Sequence, residues 1–255
     1  MKNLFIKAFA ILGIVLALNA NLLAQSPKFR VLILAERGGY HEGFVVAALE
    51  WLNKLAPEKE FEFTVINNTN LIDDAYLSNY KVFMQLNYPP YMWTEKAKEA
   101  FIKYIEEGRG GWVGFHHASL LGEFDGYKMW DWFSGFMGGI RYKNYIAATA
   151  SANVTVEERQ HPVMKGVPDS FVIPDDEWYT FDKNPRPNVH VLASVDESTY
   201  TIATDIRMGD HPVIWVNEKV KARNVYFLMG HHAHLLGSEA FKTMVSNAIL
   251  WAAGK

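Results

Sequence analysis

The sequence predicts an α/β protein built on a doubly wound, mostly parallel sheet, and three observations predict it. Short runs of β-branched and large apolar residues recur along the chain, amphipathic stretches of helical length separate the first of them, and glycines mark the changeovers.

Residues 1–25 stand apart from that rhythm. Lys2 and Lys7 flank the start of an apolar run from Ala8 to Leu18, and small residues such as Ala20 and Ala24 follow. This is the charged, apolar and cleavable order of a secretory signal peptide. The expectation is a leader over 1–25, one domain over 28–255, a periplasmic or secreted bacterial protein, and no membrane attachment once the leader is cleaved. Phe29–Ala35 then reads as a strand covered on both faces. Gly38 and Gly39 end it, and 43–56 reads as a helix. Phe61–Asn67 alternates as a second strand, and Tyr80–Asn87 is a third. Thr94 has the chemistry of an N-cap for a helix running to Glu107. Trp112–Phe115 is a short buried fourth strand behind the glycines at 108, 110 and 111. Later strand candidates are Val154–Glu157, Val189–Val195, Pro212–Val216 and Asn224–Met229, and Ser238–Ala252 closes the chain as a helix.

Composition narrows the function classes. The 255 residues carry a formal charge of −3, and without Lys2 and Lys7 the remainder is more acidic still, so no basic footprint for nucleic acid exists. There is no cysteine, which excludes disulfides, lipid-modified cysteine and thiol nucleophiles. No GxSxG elbow is present, and no P-loop or GxGxxG follows the first strand, so neither a serine hydrolase of that type nor a nucleotide cofactor is expected.

In open parallel sheets, ligands bind beyond the carboxyl ends of the strands. His41 follows the first strand, His116 and His117 follow the fourth, and His231, His232 and His234 follow a late one. If those strands are neighbours, the histidines meet at one edge. Histidine supplies proton transfer near neutral pH or neutral nitrogen ligands, so His41, His116 and His231 are candidate ligands of a divalent metal. No HExxH or cysteine-based zinc pattern accompanies them. His161 and His211 each precede a proline and read as loop residues at the entrance to a turn or strand.

The acidic candidate is Asp175-Asp176-Glu177 beside Trp178 and Tyr179. A solvated turn and an acid–base group with a shifted pKa are both open at this point. Tyr88, Tyr91 and Trp93 follow the third strand, as a stacking platform for a sugar or as plain packing. Trp130-Asp131-Trp132-Phe133 reads as a helix packed onto the domain.

These residues also carry a resemblance. Gly-Phe-His-His-Ala at 114–118, His-Pro at 161–162, Asp-Glu-Trp-Tyr at 176–179, Pro-Val-Ile-Trp at 212–215 and the run from Arg223 to His231 resemble, in order, the ThuA-like (trehalose utilisation) family. The likeness spans Phe29 to Trp251. It implies a flavodoxin-like fold similar to the class I glutamine amidotransferases, whose cysteine occupies the turn where this chain has His116. It therefore implies the fold without the amidotransferase chemistry. It also implies polar roles for His41, His116, His117, Glu177 and His231. Many relatives have a histidine a few residues after the Gly138-Gly139 pair, where this chain has Tyr142, Lys143 and Asn144.

The functional expectation is an isomerase, lyase or hydrolase of carbohydrate catabolism acting on a sugar or keto-glycoside. His116 or Glu177 takes a proton, and His231 returns one or helps hold a metal. His41, His117, Tyr88, Trp93, Tyr179 and Asn144 contact the substrate. A non-catalytic carbohydrate-binding protein and a partner-assembly domain with a vestigial site are the alternatives. The sequence does not specify an oligomeric state.

Overall fold

Strand β1 (Phe29–Ala35) is buried at every position except Arg30, because both faces of a central parallel strand are covered. The computed structural model describes residues 27–255, and the leader expected at 1–25 lies outside them. Helix α1 (Glu42–Glu58) crosses to β2 (Phe61–Ile66), whose half-exposed pattern marks a sheet edge. A short helix α2 (Asp74–Leu77) leads to β3 (Val82–Leu86), and α3 (Glu95–Glu106) leads to β4 (Gly111–Phe115). Thr94 caps α3 as its chemistry predicts, its hydroxyl accepting from the Ala97 amide at 3.3 Å.

Beyond β4 come α4 (Asp131–Phe136), β5 (Tyr142–Tyr145), β6 (Ala150–Val156), β7 (Ser170–Asp176) and β8 (Tyr179–Phe181). The chain finishes with β9 (His190–Asp196), β10 (Pro212–Val216), β11 (Asn224–Phe227) and α5 (Glu239–Ala252). Nine strands form one sheet in the order β2-β1-β3-β4-β11-β10-β9-β6-β7, and β5 pairs with β8 in a small second sheet. From β2 to β11 all neighbours are parallel. From β11 outward they are antiparallel.

The parallel half is the doubly wound sheet that the sequence predicts, and the antiparallel strands extend it at one end. No α-helix lies between β6 and β7 or between β9 and β10, and connections without a crossover helix return a strand antiparallel. Strand β7 ends in Pro174, Asp175 and Asp176, a composition that reads as a turn; it is tolerated because β7 lies at the sheet edge.

Helices cover both faces of the parallel half. Phe83 of β3 and Trp112 of β4 pack against Phe101 of α3 and Phe133 and Phe136 of α4. On the other face, Phe115 and the β11 residue Phe227 stack at 5.3 Å and meet Phe44 of α1 and Phe241 of α5. Gly114 lies under the Trp112 ring, where an added Cβ would come within 2.1 Å of the indole. The short central strand therefore needs glycine to let that tryptophan lie flat. Among the described residues, no helix is long and apolar enough to cross a membrane.

Candidate functional site

Strands β1, β4 and β11 end on one side of the sheet, and the loops after them bring the histidines together. The chain leaves β4 through a 3-10 turn over His116–Ser119, entered with His116 at a φ of 36°. This left-handed conformation is costly for a residue with a Cβ. The His116 carbonyl accepts from the Ser119 hydroxyl at 2.9 Å and the Tyr226 hydroxyl at 3.0 Å, which holds the turn. After β11, Gly230 passes so close that a Cβ there would lie 2.9 Å from the His116 Cβ and 3.0 Å from the Asn87 Oδ1. Asn87 donates to the Gly230 carbonyl at 2.7 Å, tying the end of β3 to the end of β11.

His41 occupies the N-cap position of α1 but makes no side-chain cap. Its ring points into the cluster instead, with centroids 4.4 Å from His231, 5.0 Å from His116 and 3.9 Å from His117. Glu177, between β7 and β8, is the hub. Its Oε2 lies 3.2 Å from His116 Nε2, 3.4 Å from His231 Nδ1 and 4.0 Å from His41 Nε2. His116 Nδ1 donates to the Leu228 carbonyl at 2.8 Å, which leaves the Nε2 lone pair facing Glu177.

Two supporting groups, Glu36 and the Leu228 carbonyl, escaped the sequence reading, and Asp176 of the acidic candidate supports the site beside Glu177. Glu36 directly follows β1, and its carboxylate accepts from His117 Nδ1 at 3.0 Å. The same strand-end signal that marks the histidines marks Glu36 as well. Asp176, fully buried, accepts from the amides of Gly230 at 3.0 Å and His231 at 2.9 Å, fixing the loop that carries His231. The Leu228 carbonyl carries no side-chain signal at all.

Burial sets the protonation of the cluster. Desolvation, reinforced by the neighbouring histidines, pulls His41 down to about 2, and it pulls His116 down to about 4 against the pull of Glu177. Both rings are neutral at neutral pH. Burial pushes the Glu177 carboxyl up, but the adjacent His116 and His231 rings outweigh it and leave the group below the usual range. Burial also lowers His231, yet Glu177 and the nearby aspartates raise it on balance. Asp176 is raised to about 6 because burial outweighs its three backbone bonds.

The predicted substrate contacts divide. Tyr179 stacks on His116 at 4.1 Å, and Tyr142 meets Tyr179 edge-on at 5.0 Å. Tyr91 continues the aromatic surface toward Phe124 at 5.2 Å and the half-exposed Tyr127 at 5.9 Å. Tyr88 is buried, and that burial, with smaller contributions from Tyr127 and Glu36, raises its phenol. Trp93 is not at the cluster; it is core, packed on Phe83, Phe101 and Trp130, because the turn after β3 directs it under α3. Asn144 is exposed on β5, with its Oδ1 taken by the Tyr145 amide. His232 and His234 lie outward of His231; His234 bonds the Asp175 carbonyl at 3.0 Å. His211 stands at the entrance to β10, buried against Glu197 and the Tyr179 carbonyl, so it supports the site from behind.

Solved structures with this architecture include a ThuA-like protein from Bacteroides uniformis ATCC 8492, 30% identical, with 90% of this chain and 93% of that one aligned at a TM-score of 0.79. A ThuA-like protein from Parabacteroides merdae ATCC 43184 is 16% identical over 90% and 91% of the two chains, with a TM-score of 0.68. A protein described as a GMP synthase component from Thermoplasma acidophilum shares the fold at a TM-score of 0.54 and 11% identity, over 89% and 94% of the chains. No curated protein sequence matches the chain significantly. The ThuA family profile, described as trehalose utilisation, matches residues 30–252. With that profile spanning nearly all of the described residues, this chain belongs to the ThuA family.

Proposed function

We propose that the protein is an exported enzyme of carbohydrate catabolism that acts on a keto-glycoside by abstracting a proton beside the ketone. The observation that carries this reading is the convergence of His41, His116, His117, His231, Glu36 and Glu177 at the strand ends, next to the Tyr142–Tyr179 rings. A ketone makes the adjacent C–H acidic, so a positioned base and a site for the enolate oxygen are the two parts the chemistry needs.

His116 is fully buried with its Nε2 turned to Glu177 Oε2 at 3.2 Å, and that oxygen also faces His41 and His231. His117 is better placed to take the proton than either. Glu36 holds its Nδ1–H, and among the described residues its Nε2 has no hydrogen-bond partner. The C–H proton passes to His117 Nε2, and the C–H electron pair moves into the enolate. That pair either takes a proton back from the protonated His117, giving isomerisation at that carbon, or expels the glycosidic oxygen, which leaves with the proton from His117, giving elimination. The ketone oxygen lies against the cluster of His41, His116, His231 and Glu177. Tyr142, partly exposed, offers its ring to the sugar, and the buried Tyr179 backs it against His116.

The test is turnover of a panel of keto-glycosides, with solvent deuterium exchange at the carbon beside the ketone. His117→Ala abolishes exchange, and the double variant His116→Ala/Glu177→Ala abolishes turnover. Retained turnover in either overturns the mechanism. Stabilisation by sugars with no product from any of them would instead favour a carbohydrate-binding protein, to which the aromatic surface is equally suited.

A further inference from the structure

We propose that His41 Nε2, His116 Nε2, His231 Nδ1 and a Glu177 carboxylate oxygen form a binding site for one divalent first-row transition-metal ion, zinc in the first instance. The inference rests on reading this cluster as the reaction centre, and it does not depend on the substrate.

Geometry is the first support. In a tetrahedral site with bonds of about 2.0–2.1 Å, neighbouring donor atoms are about 3.3–3.4 Å apart. Glu177 Oε2 stands 3.2, 3.4 and 4.0 Å from the three nitrogens. All four donor atoms fall within 4.8 Å of one another, so an ion drawn into their centre needs only small side-chain shifts.

The second support is unmet valence. His41 Nε2 and His231 Nδ1 are buried and have no hydrogen-bond partner, and the His41 side chain is only 10% exposed. Leaving two ring nitrogens buried and unpaired is unfavourable, and a cation at the centre satisfies both at once. The His116 Nε2 lone pair faces a carboxylate oxygen at 3.2 Å, two acceptors in contact, which is repulsive unless something positive stands between them.

The third support is the arrangement behind the donors. Histidine ligands are commonly held by a carbonyl or carboxylate on their other nitrogen. His116 Nδ1 is held by the Leu228 carbonyl at 2.8 Å, and His41 Nδ1 faces the otherwise unpaired Glu36 Oε2 at 3.8 Å. Asp176 fixes the backbone of His231. Three imidazoles and one carboxylate suit zinc or its first-row neighbours, and they disfavour calcium and magnesium, which take oxygen ligands. An ion here also answers a need of the proposed chemistry, since an enolate oxygen would otherwise lie beside the Glu177 anion.

The experiment uses the purified mature chain, stripped with a chelator and titrated with Zn²⁺ and, separately, Co²⁺. Expected are one equivalent bound, a rise in Tm, and the visible absorption of Co²⁺ with nitrogen and oxygen ligands. His41→Gln and Glu177→Gln should each weaken binding by roughly 100-fold or more, in line with loss of a direct ligand. His234→Gln, at the exposed histidine, should leave it unchanged. His231→Gln, on a partly exposed loop, provides a second ligand variant if His41→Gln fails to fold. Absence of a stoichiometric ion in the wild type, or equal binding by the ligand variants, overturns the proposal. Because binding is read without substrate, a metal site that turns over no keto-glycoside refutes only the substrate reading, and turnover by a protein that binds no stoichiometric ion refutes only the metal.

Discussion

His116 Nδ1 donates to the Leu228 carbonyl at 2.8 Å, so the end of β11 fixes which ring nitrogen the end of β4 presents to Glu177. The same turn holds His116 at a φ of 36°. Replacement by glycine relieves that backbone cost, whereas alanine does not. His116→Gly should therefore be about 1 kcal/mol more stable than His116→Ala. This reverses the usual order of the two residues, and chemical denaturation of both variants measures it.

Gly230→Ala tests how closely β11 approaches that turn. The added methyl lies 2.9 Å from the His116 Cβ and 3.0 Å from the Asn87 Oδ1, and Gly230 has a φ of 155°. The His116 Cβ is fixed to the backbone, and the Asn87 amide is held by its bond to the Gly230 carbonyl at 2.7 Å. A loss of about 1–3 kcal/mol is expected, as for overpacking. Thermal unfolding and turnover should fall together, since the clash displaces His116 itself.

Gly114→Ala separates fold from site. Its methyl meets the Trp112 indole at 2.1 Å, and Trp112 Nε1 donates to the buried Gln85 at 3.2 Å. The tryptophan must leave its place, and a loss of about 3 kcal/mol or more is expected from overpacking plus a broken buried bond. The readout is the denaturation midpoint together with tryptophan fluorescence.

Glu36→Ala should leave the fold intact, because Glu36 lies just past the end of β1 and, among the described residues, its side chain hydrogen-bonds only to His117. His117 then loses its orienting partner. Turnover should fall roughly 10- to 100-fold, the range for loss of an outer carboxylate partner. Glu36→Gln, which keeps an acceptor oxygen, should recover most of it.

Glu197 predicts a pH dependence of stability. Burial raises its carboxyl, but bonds from His211, the Met208 amide and the Gly209 amide outweigh this and lower it below the ordinary 4.5. A carboxyl depressed in the folded state contributes stability that is complete above 4.5 and is lost as pH falls through the folded value. Stability should therefore drop on acidification below about 4.5, and Glu197→Gln should flatten that part of the profile. Urea denaturation as a function of pH measures both.

Much of the fold was legible in the sequence because β1, β3 and β4 are buried on both faces, which writes them as unbroken apolar runs. Thr94 announced its helix through local capping chemistry, which needs only the next few residues. Strand β7 was not legible, since an edge strand tolerates the proline and acids that otherwise signal a turn. The histidines were legible as a group because each follows a strand, and Glu36 was overlooked although it obeys the same rule.

The chain by itself determined which chemistry is present: histidines and carboxylates at strand ends, no thiol, and a glycine where a tryptophan must lie flat. Only the tertiary structure decided which of these groups meet. Trp93 turned into the core, His234 stayed outside, and Glu177 arrived from an antiparallel edge to stand among three imidazoles from β1, β4 and β11. The physical reason is range. Strand burial and capping depend on neighbours in sequence, whereas the Glu177 hub depends on sheet order and on backbone carbonyls and amides that no side chain records.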